Sequence, residues 1–282
     1  MISMNVPRNL VSDSLLIQET LELARANGGR VGVNLVTDRV FRLANVDASL
    51  SALLVSDLLA NDPRFRIVDD RVEVVTDDAE LRLLNQAEFV VLDIEAMSIA
   101  AHTPRIIDLA AYRVRAGIIL DDFQTLINPG NPVSGFISAL TGITNDMLSA
   151  APAFAEVAHS WLDFAGDAVL VAHNATFDVP LLNQEIGRVF PGYRMRNAEL
   201  CTVNLARRIV SSPDGHKLDS LATHFAIPID QRHRAAGDAR ATAEILLRLL
   251  AEVKQYGVTT LAQLRNFRIA KQNGARPNQV SS

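Results

Sequence analysis

The sequence predicts an α/β chain: a mixed five-stranded sheet flanked by helices, preceded by a small unit of three helices and a hairpin. Two patterns carry that reading. From Phe89 onward, continuous apolar runs of the buried-strand type come first in meander and then alternate with helical spacing. Before residue 85 the apolar spacing is helical until a short alternating pair of runs near residue 70. Composition agrees. The 282 residues are 49% hydrophobic and 21% charged, with a formal net charge of −5, which excludes disordered and collagen-like classes. The length accommodates one large domain and a small one.

In the first unit, residues 1–85, Leu15, Leu16, Thr20, Leu23 and Ala24 recur at helical spacing, and Asn27-Gly28-Gly29 stops the helix. A second short helix is predicted from Val36 to Leu43. Asp47 reads as the N-cap of a third, with Leu50, Leu53, Leu54, Leu58 and Leu59 as its apolar stripe. Phe65 to Val68, a turn at Asp69-Asp70, and Arg71 to Val75 form the hairpin. Three helices followed by a hairpin is the order of a winged helix, whose third helix often enters a DNA groove. Here that helix, Asp47 to Ala60, has no Arg or Lys, although the hairpin carries Arg64, Arg66 and Arg71. A protein-contact or packing module is the favoured reading over a DNA reader.

A polar stretch from Thr76 leads to the second unit, residues 86–255. Strands are predicted at Phe89–Leu92, Ile106–Arg115, Ile118–Ile127 and Ala168–Ala172, with a fifth ending at Leu200. Helices are predicted around Ala153–Phe164, Phe177–Val189, Thr202–Val210, Lys217–Phe225 and from Asp238 to about Lys254. Residues 256–282 read as a C-terminal helix and a basic tail, disordered after Lys271. Arg265, Arg268, Lys271 and Arg276 face no acid there. Cys201 stands alone, which excludes a disulfide framework and a cysteine-based zinc site. No apolar stretch approaches the roughly 18 residues of a membrane span. The first residues lack an export signal, so a cytoplasmic protein with no membrane partner is expected.

Four acids stand out. Asp93 and Glu95 close the run Phe89–Leu92 and, two apart on a strand, point to one face. Close carboxylates repel unless a cation lies between them. Asp178 sits at the start of a helix, and Asp238 opens the long one with His233 five residues before it. Each has an ordinary reading: a strand running into a polar loop, a first-turn acid, an N-cap.

The ordered combination is what singles them out. Asp93-Ile94-Glu95, then His173-Asn174-Ala175-Thr176-Phe177-Asp178, then His233 to Asp238 resemble the three motifs of the DEDDh 3′→5′ exonuclease family. That superfamily includes the proofreading epsilon subunit of bacterial DNA polymerase III. Pro104 to Val114, Asn128-Pro129-Gly130, Leu140 to Thr144 and His216 to Ala222 share the likeness, which spans about residues 88–255. It implies a ribonuclease H-like sheet and a metal-dependent 3′→5′ exonuclease acting on single-stranded or frayed 3′ ends of DNA, in proofreading or repair, with a polymerase or repair protein as the partner class. RNA, as in the oligoribonuclease-like branch, is the alternative substrate. A non-catalytic binding protein with a relict fold is the third reading.

The resemblance further implies two ions, Mg²⁺ or Mn²⁺, since hard cations suit oxygen ligands. Asp93 would bridge them, Glu95 and Asp238 would complete one, and Asp178 would hold the other. His233 would be the general base, a task that suits imidazole near neutral pH. Ala96, Met97, His173 and Asn174 are the expected substrate contacts, His173 alternatively ordering its loop. Phe177 is expected in the core. After Glu95 the family usually carries Thr-Thr-Gly, where this chain has Ala96-Met97-Ser98, a departure that bears on the fit of the 3′-terminal nucleotide.

Overall fold

The computed structural model describes residues 6–75, 78–98, 104–211 and 214–268. The tail expected to be disordered after Lys271 lies outside them. The chain opens with strand β1 (Leu10–Ser12), helix α1 (Leu15–Ala26), β2 (Arg30–Gly32), α2 (Val33–Arg39), α3 (Ala48–Leu59), β3 (Phe65–Val68) and β4 (Arg71–Val74). Asp47 caps α3 as expected, accepting from the backbone amides of Ser49 and Leu50. Asp69 and Asp70, with φ of 47° and 58°, make the two-residue turn whose twist suits a hairpin. β2, which the sequence reading missed, completes a three-stranded sheet in the order β2-β4-β3.

The apolar faces of α1 and α3 differ from those expected. α1 buries Ile17, Thr20, Leu21 and Ala24 and leaves Leu15 and Leu16 outside. α3 buries Ser51, Val55 and Leu59 and exposes Leu50 and Leu53. Both helices carry more apolar positions than one face holds, so spacing alone does not choose the buried face. The packing of α2 against α3 chooses it.

The second unit runs β5 (Glu88–Ser98), β6 (Pro104–Arg115), β7 (Ile118–Leu126), α4 (Gly135–Thr141), α5 (Asn145–Ser149), α6 (Phe154–Ala165), β8 (Val169–Ala172), α7 (Ala175–Val189), β9 (Tyr193–Met195), β10 (Glu199–Cys201), α8 (Thr202–Ile209), α9 (Leu218–Phe225), α10 (Ala235–Lys254) and α11 (Leu261–Asn266). The five-stranded sheet has the order β10-β8-β5-β6-β7. β5, β6 and β7 pair antiparallel, and β5, β8 and β10 pair parallel, giving the expected mixed sheet.

Alternation along β5 divides the core. Val90, Leu92 and Ile94 pack with α6 and α7 around Trp161 and Leu182. Phe89 and Val91 pack on the opposite side with α8, α9 and α10. Asp93 and Glu95 continue this second face toward α10. β8 stops pairing at Leu92↔Ala172, so both acids lie on β5 just past the carboxyl end of its parallel neighbour, where open α/β sheets place ligands.

β1 does not stay with the N-terminal unit. It pairs antiparallel with β9, and Leu10 is fully buried among sheet-domain residues. Asn9 Nδ2 donates to the carbonyls of Leu162 and Gly166. Likewise Leu261 and Leu264 of α11 sit in the core beside α10. The boundaries expected at residues 85 and 255 therefore leave pieces of the sheet domain's core on their far sides.

Candidate active site

Asp178 lies in the first turn of α7 and is 5% exposed. The backbone amides of Asp178 itself and of Ile94, which lies between Asp93 and Glu95 on β5, act on its carboxylate. Asp238 is 3% exposed. It does not open α10, as expected from the sequence: the helix begins three residues earlier, with Arg234 as its N-cap. One carboxylate oxygen, Oδ2, accepts from the Arg232 guanidinium and from the His233 backbone amide. The other, Oδ1, is buried with no hydrogen-bond partner. Glu95, His233 and Asp238 each bring one ligand atom into a group whose members all lie within 4.8 Å of one another.

The loop before α10 is held by residues that sequence reasoning did not assign. Asp108 of β6, opposite Glu95 in register, accepts from Arg234 Nε at 2.9 Å and from the Ala235 amide at 3.3 Å. It thereby caps α10 from a strand 127 residues away, satisfying an amide that a helix start leaves orphaned. The signal was an acid inside the apolar run Ile106–Ala111. Gly237 is the second device: a Cβ there would lie 1.8 Å from the Asp230 carbonyl, so only glycine lets the loop close on the helix. Arg232 is the third, bonded to Asp219 at 2.8 Å as well as to Asp238. His233 itself adopts φ of 63°, the left-handed region.

Between β5 and β6 the register shifts after Glu95, which pairs with Asp108, while Ala96 pairs with Ile106. Such a bulge re-aims side chains beside a site. Beyond it, Met97 is buried against Ile107, Val133, Ile143 and Leu148. Ala96, Met97 and Ser98 line one side of an open groove of about 670 Å³, with exposed Phe136 on the other.

Burial raises every acid of the cluster, and repulsion between carboxyls adds to it at Asp93, Glu95 and Asp178. Asp93 stands well above the usual carboxylate range, through burial first and then Asp178, Asp238 and Glu95. Burial, with Asp238 and Asp108 nearby, lifts Glu95 to about 7. Burial lifts Asp178 to about 7 against the pull of its two backbone bonds. Asp238 is raised by burial too, opposed by Arg232. Four carboxyls that repel one another to this degree are a site short of positive charge.

His173 and Asn174 are brought to the same cleft, of about 620 Å³, with Asp93 and Asp238. Both ring nitrogens of His173 are already engaged, with Thr202 Oγ1 at 2.9 Å and the His216 carbonyl at 3.1 Å. A carbonyl only accepts, so Nε2 carries the proton, and burial holds the ring neutral by lowering its pKa to about 4. Of the two roles expected for His173, this is the loop-ordering one. Asn174, at φ of 89°, precedes α7 and accepts from the Thr176 hydroxyl. Phe177, expected in the core, is 50% exposed: starting α7 at Ala175 points Ala175, Asp178 and Leu182 inward and Phe177 out.

The donor set fits a divalent cation. It is oxygen-rich, one buried oxygen of Asp238 lacks any partner, and the acids crowd without enough countercharge. Among the described residues, no helix is long and apolar enough to cross a membrane.

Known proteins resemble this chain in sequence and in fold. The sequence profile of the exonuclease family, RNase_T, matches residues 90–246, which contain all four acids and His233. The PolC-type DNA polymerase III of Bacillus subtilis is 38% identical over 192 residues, 68% of this chain and 13% of that protein. That of Caldanaerobacter subterraneus is 37% identical over 200 residues, 71% of this chain and 14% of that one. The chain thus spans about 14% of the length of the curated relatives it matches. Among solved structures, Escherichia coli Exonuclease I with a dT13 oligonucleotide superposes with a TM-score of 0.52 at 16% identity, over 61% of this chain and 43% of that one. The nuclease domain of 3′hExo, a DEDDh family member bound to rAMP, gives 0.51 at 19% identity, over 59% and 92%. These share the fold. By the profile that covers more than half of its length, the chain belongs to the exonuclease family.

Proposed function

We propose that the chain removes nucleotides from the 3′ end of DNA by metal-dependent hydrolysis, in proofreading or repair. The observation that carries this reading is the meeting of Glu95, His233 and Asp238 within 4.8 Å, beside Asp93 and Asp178, next to the carboxyl end of β8. Two divalent cations, Mg²⁺ or Mn²⁺, held by Asp93, Glu95, Asp178 and Asp238, would neutralise the phosphoryl oxygens and stabilise the departing 3′ oxygen. His233 takes the proton of the attacking water; its place on a loop outside α10 lets the ring approach and withdraw. Arg207 and Lys217 line the same cleft and face the phosphodiester backbone of the strand. Asn174 and exposed Phe177 offer a polar and a stacking contact to a nucleotide beside Asp178. Ala96 and Met97 line the groove beyond Glu95, where the terminal nucleoside would rest.

DNA is favoured over RNA because the same segment is 36–38% identical to parts of PolC-type DNA polymerases III. That kinship also supports a polymerase as partner. The element order of residues 15–74, helix, strand, two helices and two strands, supports a winged-helix-like unit that contacts another macromolecule. The deciding experiment is digestion of 3′-labelled single-stranded DNA, paired duplex, mismatched duplex and RNA, each with Mg²⁺, Mn²⁺ or EDTA. Progressive loss of DNA label only with metal is expected. Hydrolysis persisting in EDTA, or RNA cut in strong preference to DNA, would overturn the reading.

A further inference from the structure

A second cleft, of about 690 Å³, lies between α1, β4 and β9. Among the described residues that line it are four arginines, Arg25, Arg64, Arg194 and Arg196, and no carboxylate. In a chain of net charge −5 this is a local concentration of positive charge. Two of the four are neutralised from outside the cleft: Arg64 by Asp62 at 2.6 Å and Arg196 by Asp167 at 2.7 Å. Arg25 and Arg194 are exposed and belong to none of the ion pairs found among the described residues.

The cleft stands at a fixed distance from the acid cluster. α7 starts at the cluster, with Asp178 in its first turn, and its 15 residues span about 22 Å at 1.5 Å per residue. β9 then turns back along α7, where the Met195 amide donates to Asn183 Oδ1 at 2.8 Å, midway along the helix. Along that length, α7 exposes Thr176, Phe177, Pro180, Gln184 and Arg188, while its two acids, Asp178 and Glu185, are turned inward.

We propose that this cleft binds the phosphodiester backbone of the substrate strand several nucleotides upstream of the 3′ end held at the acid cluster, along the acid-free outer face of α7. Arg25 and Arg194 supply the charge. The N-terminal unit thereby forms one wall of the substrate path. The proposal rests on the 3′→5′ exonuclease reading above.

The test uses the full chain and oligo-dT of four and twelve nucleotides. Binding is followed by fluorescence anisotropy in Ca²⁺ over a range of salt, and cleavage in Mg²⁺. The wild type should bind the twelve-mer more tightly than the four-mer. The Arg25→Ala/Arg194→Ala double variant should lose that advantage, and its log K against log salt slope for the twelve-mer should fall by about 1.4, or about 0.7 per phosphate contact. Four-mer cleavage and thermal midpoint should stay at wild-type values, and the double Arg→Lys variant should restore the slope. An unchanged twelve-mer slope in the Ala variant, or equal weakening of both lengths, would overturn the cleft proposal. So would inorganic phosphate protecting the wild type, but not the variant, from thermal unfolding with no length advantage for DNA; that would assign the cleft to a small phosphate ligand. A wild type that cleaves neither oligonucleotide strikes instead at the exonuclease reading.

Discussion

Replacing Asp178 with Asn should stabilise the metal-free protein at pH 8 far more than at pH 5. The side chain is 5% exposed, and burial lifts its carboxyl from 3.8 to about 7. A carboxyl held higher in the folded than in the unfolded chain keeps an extra proton on the folded state between those two pH values. Its contribution is therefore undiminished below about pH 4 and is progressively lost as the pH climbs to about 7. At about 1.36 kcal/mol per pH unit, the loss over that interval is on the order of 4 kcal/mol, of which about 3 develops above pH 5. The amide does not ionise, so any misfit of its own is the same at both pH values and cancels when they are compared. Urea unfolding in EDTA, for wild type and variant at pH 5 and pH 8, reads the difference directly. The variant's advantage should grow by about 3 kcal/mol between the two. Growth of less than about 1 kcal/mol, or an advantage larger at pH 5, would refute the claim that repulsion and burial leave this site short of positive charge. Saturating Mn²⁺ should narrow the variant's advantage at pH 8, because ligand at about 100 times Kd adds about 2.7 kcal/mol to a protein that binds it, and the variant lacks a ligand.

Asp93→Ala and Asp238→Ala are expected to abolish hydrolysis while the far-ultraviolet circular dichroism stays that of wild type. His233→Ala should slow single-turnover cleavage by roughly 10²–10⁴-fold with Mn²⁺ affinity retained; a large drop in Mn²⁺ affinity would make His233 a ligand rather than a base. Phe177→Ala should change the unfolding free energy by no more than about 0.5 kcal/mol, as for an exposed side chain, yet raise KM for a single strand; an unchanged KM removes Phe177 from the substrate path. Leu10→Ala should cost roughly 2–5 kcal/mol in a thermal or urea unfolding transition monitored at Trp161, although Leu10 precedes the three-helix unit in sequence.

The sheet was legible because its strands are long apolar runs, and Phe89–Leu92, Ile106–Arg115 and Val169–Ala172 need no partner information to be recognised. The four acids stood out in the sequence only as an ordered set with His233, because each alone reads as an ordinary loop, first-turn or capping acid. What stayed hidden depends on distant chain. Asp108 caps α10 across 127 residues, and β1 and β2 have three residues each, too few to show a period. Phe177 was misplaced because its apolar side chain was expected inside, whereas the buried face of α7 runs through Ala175, Asp178, Val179 and Leu182 and leaves Phe177 outside. His173 shows a different limit. Its position in a motif marks it, but only Thr202 and the His216 carbonyl reveal that its nitrogens are occupied.

The pairing of β1 with β9 sets an order of events during synthesis. Leu10–Ser12 are made first, yet their partners Tyr193–Met195 leave the ribosome only after roughly 180 more residues. At about 5–20 residues per second, that edge waits on the order of 10–40 seconds for its match. Meanwhile α1 to β4 hold a cluster of their own around Val36, Val55 and Val72, which needs nothing downstream. The N-terminal unit therefore has its own cluster to gather around while its first strand still waits for β9.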